Sequence, residues 1–224
     1  MTLGNSIGRN AIILGAFALL TAAVLAGTQL LTKDRIAAEQ RKAAEQALLE
    51  IISSLPEKHD NDMLAESLDI PKSLQESLSW RDAEKVYIAK KGEQVLAYLV
   101  PAIAPDGYSG DIKILIGITP NGLVTGVRVL AHKETPGLGD KVELKKSDWI
   151  LSFTGRSLTP ENESTWAVKK DGGDFDQFTG ATITPRAVVN QVKASVQAFS
   201  QWLKTKDADD QREHSIAKVE SSHE

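Results

Sequence analysis

The chain has 224 residues, enough for one ordinary domain plus an anchor or tails, and its apolar share of 42% can supply a packed core. A net charge of −4 argues against a nucleic-acid partner, because binders of the phosphate backbone carry a basic surface. The chain has no cysteine, which excludes structural disulfides and argues against an iron–sulfur cluster. Its four histidines, His59, His132, His214 and His223, show no metal-ligand spacing, so no metal site is expected.

Residues 1–10 read as a short N-terminal tail. Residues 11–31 form an uncharged apolar run, interrupted only by Thr21, Thr28 and Gln29. About 20 such residues cross a bilayer as a helix. A cleaved signal peptide needs a shorter run and a better small-residue cleavage site than Val24-Leu25-Ala26, so the segment reads as an uncleaved transmembrane anchor. Flanking charges give no clean orientation. Arg9 lies on one side and Lys33, Arg35, Arg41 and Lys42 on the other, partly offset by Asp34 and Glu39, a balance that leans against export of the following domain.

Residues 32–79 read as a helical stalk and connection. Residues 34–55 are rich in Ala, Glu, Gln, Leu and Lys, end in an apolar cluster and stop at Pro56. Residues 59–79 are polar, with Pro71 inside them, and predict an irregular segment with one short helix. From residue 85 the hydrophobic period changes. Residues 86–88, 95–103, 112–118 and 123–131 are β-rich, and Asp106-Gly107 and Pro120-Asn121-Gly122 separate the later runs. This predicts an antiparallel meander and argues against a Rossmann fold. Residues 185–203 return to helical spacing through Val188, Val189, Val192, Val196, Phe199 and Leu203. Residues 204–224 are charged and read as a disordered polar tail.

The expected fold class is therefore α+β: a transmembrane helix, then a mostly antiparallel sheet with flanking helices over residues 80–203. The stretch at residues 174–186, DFDQFTGATITPR, carries the most distinctive chemistry. Thr184-Pro185 reads as a helix start, with Thr184 as the cap and Pro185 first in the helix. A helix N-terminus favours a phosphate, Arg186 could add a cation, and Thr182 would present its hydroxyl there. On residue types alone, an ordinary capped loop explains the same stretch.

Asp176, Thr179, Gly180, Ala181 and Thr182 fit the Dxx(S/T)GAT pattern of proteins that carry covalent FMN. In that family the last threonine is esterified to the FMN phosphate by a flavin transferase that uses FAD. The resemblance implies that Thr182 is the acceptor, that Thr179, Gly180 and Ala181 complete the cofactor motif, and that Asp176 is read by the transferase. A second stretch, HKETPGLGDK at residues 132–141, together with TGATITPR, resembles the G subunit of the Rnf-type ion-translocating electron transport complex, and the resemblance covers about residues 11–203, nearly the whole chain. By that resemblance Glu134, Thr135, Gly137 and Leu138 are expected beside the isoalloxazine ring.

The function implied is an electron relay within a membrane complex that couples electron transfer to ion translocation. The other membrane subunits and the transferase would be its partners. No dinucleotide fingerprint or catalytic constellation suggests a substrate site in this chain. The resemblance places a single-pass protein in a bacterial inner membrane with the FMN domain in the periplasm. Two alternatives are the C subunit of a sodium-pumping NADH:quinone oxidoreductase, which shares the flavin motif, and a flavin-free anchored scaffold.

Overall fold

The computed structural model describes residues 3–80 and 84–220. Helix α1 covers Leu3–Ile52. The chain divides into two compact units, Met1–Gln46 and Ala47–Glu224.

The first unit is helical. Its segment Ala11–Thr28 is long and apolar enough to cross a membrane, and none of it is buried. Large apolar side chains such as Ile12, Phe17 and Leu19 stand exposed along it. The hydroxyls of Thr21 and Thr28 donate back to the helix carbonyls of Phe17 (2.5 Å) and Val24 (2.8 Å). Polar groups satisfied within their own helix suit a hydrocarbon environment.

The second unit is built on five antiparallel strands in sequence order: β1 (Ser67–Asp69), β2 (Lys85–Lys91), β3 (Gln94–Ala104), β4 (Ile112–Ile118) and β5 (Val124–Ala131). This is the predicted meander, with β1 and the short helix α2 (Lys72–Gln75) falling in the segment expected to be irregular. The turn into β5 forms as expected: Gly122, at φ +83°, donates its N–H to the Thr119 carbonyl at 2.9 Å. The ladder between β2 and β3 begins at Leu99, so Pro101 pairs only with β4 and no β2 partner misses its N–H.

Both faces of the sheet are covered. Ile112, Ile114, Ile116 and Ile118 of β4 alternate onto one face and pack with the long helix α3 (Ile183–Glu220) through Val188, Val192, Val196 and Phe199. On the opposite face Ala97, Leu99 and Leu115 pack with Leu48, Ile51 and Ile52, the last turns of α1. That contact depends on two glycines paired across β4 and β5, Gly117 and Gly126. A Cβ on Gly117 would fall 2.5 Å from the Ile51 side chain, and one on Gly126 would fall 2.9 Å from the Ile51 carbonyl oxygen.

Helix α3 runs well beyond Leu203. The composition of residues 204–224 predicts disorder, but the helix continues through Glu220. Its Lys, Ala, Asp, Gln and Glu content lacks a packing stripe yet contains no Gly or Pro to stop a helix already nucleated. Residues 221–224 of that predicted tail lie outside the described residues.

Candidate functional site

The TGAT stretch hangs from an aromatic cluster. Phe175 and Phe178 are buried on either side of Asp176 and Gln177. The Phe175 ring stacks on Phe153 with centroids 4.5 Å apart, and Phe178 meets Trp149 edge-on at 5.1 Å. The Trp149 indole N–H donates to the backbone carbonyl of Asp176 at 2.7 Å. The chain then turns sharply: Gly180 takes φ +83°, and the Ala181 N–H donates to the Phe178 carbonyl at 3.1 Å. This turn delivers Thr182 to the threshold of α3.

Thr182, rather than Thr184, occupies the helix-capping position. The helix begins at Ile183, and the Thr182 carbonyl accepts the Arg186 N–H at 3.4 Å. Thr184 lies inside the first turn and is only 1% exposed, whereas Thr182 is half-buried. The Thr-Pro signal misplaces the boundary because proline lacks the N–H that the whole first turn leaves unused, so it fits beyond the first position too.

The loop after β5 comes to the same place. The Thr135 carbonyl accepts the N–H groups of Leu138 and Gly139, each at 3.1 Å, and Gly137 takes φ +79°. Leu138, 41% exposed, reaches the motif: a Cβ on Gly180 would lie 3.2 Å from its Cδ2. Glu134 is buried at 4% exposure; one carboxylate oxygen accepts the Ser109 N–H at 2.8 Å and the other accepts the Thr184 hydroxyl. The fold thus gathers Glu134, Leu138, Gly180 and Thr182, while Thr135, Gly137 and Thr179 are exposed and Ala181 packs against the core. Sequence reasoning gave Ser109 and Gly139 no site role of their own and missed the aromatic cluster. The Phe175–Phe178 pair framing the motif was the available signal for the last of these.

The charged side chains around the motif are paired with one another. Asp176 is exposed and meets Lys169 at 2.6 Å. The Arg186 side chain, expected from the sequence to add a cation beside Thr182, grips Asp171 with two hydrogen bonds of 2.5 and 2.8 Å. The hydrogen bond from Arg186, and then its charge, hold the Asp171 carboxyl below its ordinary value. A depressed folded-state value means that the pair's contribution is present above the unfolded aspartate pKa and is lost as pH falls through the folded one. Carboxylate NMR is expected to show Asp171 titrating below an ordinary aspartate, with Arg186→Met moving it upward; no movement would contradict the pairing.

Comparison with known proteins assigns the family. Residues 1–51 match the RnfG N-terminal region and residues 107–197 match the FMN-binding domain family. The G subunit of the ion-translocating oxidoreductase complex of Haemophilus influenzae (strain PittEE) is 49% identical over 203 residues, covering 88% of this chain and 95% of that protein. The chain belongs to this G-subunit family. Its relative in Pasteurella multocida (strain Pm70) is 51% identical over 185 residues, covering 83% of this chain and 89% of its own. A crystal structure of Shewanella oneidensis NqrC is similar at TM-score 0.47 and 21% identity, covering 66% of this chain and 72% of that one.

The groups at the start of α3 in this G-subunit protein are of a kind that suits a phosphate. The first N–H groups of a helix have no partner within it, so Ile183 and Thr184 offer donors beside the Thr182 hydroxyl, and the helix dipole adds a positive end. Apolar side chains suited to a ring stand exposed on the flanking segments: Tyr108 next to Ser109, Leu138 against Gly180, and Ile183 next to Thr182.

Proposed function

We propose that this protein is a membrane-anchored flavoprotein that carries FMN through a phosphoester to Thr182 and relays electrons within an ion-translocating oxidoreductase complex. The observation that carries this reading is the approach of Leu138, in the HKETPGLGDK loop, to Gly180 of the turn that leads into the half-buried Thr182 at the start of α3. Neither segment is near the other in sequence, and the fold brings both halves of the resemblance to one place.

When bound, FMN supplies one- and two-electron chemistry. The chain's own groups would hold and orient it. Thr182 fixes the phosphate, the start of α3 neutralises it, and Leu138 with its neighbours Thr135 and Gly137 borders the ring. Glu134 stands behind that loop. Thr179, Gly180 and Ala181 shape the turn, and the exposed Asp176 is the proposed mark for the flavin transferase. In maturation the Thr182 oxygen would bond to the FMN phosphorus of FAD as the pyrophosphate bond breaks; AMP leaves and the hydroxyl proton is released. The proposed anchor, residues 11–31, which include the apolar segment Ala11–Thr28, would keep the flavin near integral membrane partners and raise its effective concentration there.

The test is to express the full chain with a flavin transferase and run it on a denaturing gel. A fluorescent band at the chain's mass, with other membrane subunits co-purifying under mild detergent, is the expected result; a dark band would defeat the reading. The proposed location is a bacterial inner membrane with residues 80–203 in the periplasm. Alkaline phosphatase fused at the C-terminus should then be active, and an inactive fusion would place the domain inside.

A further inference from the structure

Two threonines stand two residues apart at the start of α3 and meet different fates. Thr182 is half-buried at the helix threshold, whereas Thr184 is 1% exposed and its hydroxyl donates to a Glu134 carboxylate oxygen. The other oxygen of Glu134 accepts the Ser109 N–H at 2.8 Å. The backbone N–H of Glu134 in turn donates to His132 Nδ1 at 2.9 Å. With Nδ1 accepting, the imidazole proton sits on Nε2, which meets Glu143 Oε1 at 2.6 Å. Glu134 is therefore tied at both its backbone and its carboxylate, and it joins three segments that are distant in sequence: residues 107–110, residues 132–139 and the first turn of α3.

Two glycines leave the space this carboxylate needs. A Cβ on Gly139 would lie 2.8 Å from both Glu134 Oε2 and Thr184 Oγ1. One on Gly107 would lie 3.0 Å from Glu134 Oε1 and 2.2 Å from the Gly110 carbonyl. A buried carboxylate is costly unless donors reach it, and losing one donor exposes that cost. The three segments are thus held together by the requirement to satisfy one buried charge.

We infer that Thr184 is a positioning residue: through Glu134 it latches the start of α3 to the loops at 107–110 and 132–139, and the same bond withdraws it as a competing acceptor. For the flavin, this rests on the reading that FMN is attached at Thr182. The latch then sets the pose of that attachment point relative to Leu138 and the loop beside the ring. A hydroxyl is what the position requires, so serine should serve and valine should not.

The experiment compares full-length wild type with Thr184→Val, Thr184→Ser and Gly139→Ala, using NMR-detected exchange at the Ser109 amide and the visible circular dichroism of the attached flavin. Ser109 should be protected in wild type despite its place on an exposed loop. Thr184→Val and Gly139→Ala should accelerate its exchange by about tenfold or more, and the flavin dichroism should fall towards that of free FMN. Thr184→Ser should restore both. An unprotected Ser109 in wild type would overturn the latch, as would Thr184→Val with wild-type exchange and dichroism. If wild type carries no FMN but Ser109 responds to the variants as described, the flavin reading fails and the latch is supported.

Discussion

Thr182→Val is expected to abolish the fluorescent band on a denaturing gel, while Thr184→Val keeps a band. The two substitutions are matched in size and chemistry, and each removes one hydroxyl from the same helix start. Of these two, the Thr184 hydroxyl is buried and given to Glu134, whereas Thr182 is only half-buried and is the one proposed to meet a phosphate donor. Loss of the fold does not explain the expected difference. A threonine at a helix cap contributes about 0.5–2 kcal/mol, a fraction of the stability of a domain this size. The buried Thr184 change is the more disruptive of the two by burial, yet it is the one expected to retain the flavin. A band that survives Thr182→Val and disappears in Thr184→Val would reverse the assignment.

Phe153→Ala is expected to destabilise the domain by about 3–5 kcal/mol, the range for emptying a fully buried aromatic site. Phe153 is 0% exposed and sits at the centre of the cluster, 4.5 Å from Phe175, 5.6 Å from Trp149 and 6.3 Å from Trp166 between centroids. Three neighbours lose their packing surface together, so the gap cannot be closed by one side chain moving. The effect should extend to function. Phe175 and Trp149 hold the Asp176 backbone, and a loosened cluster frees the TGAT turn, so flavin loading should fall even in protein that remains folded. The control is Leu151→Ala, on the same short 3-10 helix but 40% exposed, which should stay within about 0.5 kcal/mol. Urea unfolding of the detergent-solubilised full chain measures both. A Phe153→Ala cost near that of Leu151→Ala would show that the cluster does not support the motif.

The meander was legible because its strands carry strong local signals. Residues 112–118 are an apolar β-rich run, and Asn121-Gly122 marks the turn that follows. The start of α3 was legible only approximately, since Pro185 is tolerated throughout a first turn and Thr182 and Thr184 are both good caps by type. The helical course of residues 204–220 was hidden, because composition reports the absence of a burial stripe and says nothing about propagation from an established helix. Strand β1 was also hidden: three residues hold no period, and Ser67, Leu68 and Asp69 pair because β2 offers an edge.

At the site, local reading could place Thr182 near a phosphate-friendly helix end and no further. The role of Glu134 depends on partners 25 residues before it and 50 residues after it, which no window along the sequence joins. Gly117 and Gly126 carry the same lesson. Each reads as a weak point in a strand, and their reason appears only when Ile51 is seen lying across the pair. Residue-type patterns report local geometry well, but close approaches between distant segments have to be read from the fold.

The most direct test is a peptide measurement on the full chain from cells that supply the flavin transferase. Trypsin releases residues 171–186, which contain Thr179, Thr182 and Thr184 together. Fragmentation of that peptide should place the mass of one FMN less one water on Thr182. An unmodified peptide, or the same added mass on Thr179 or Thr184, would contradict the account.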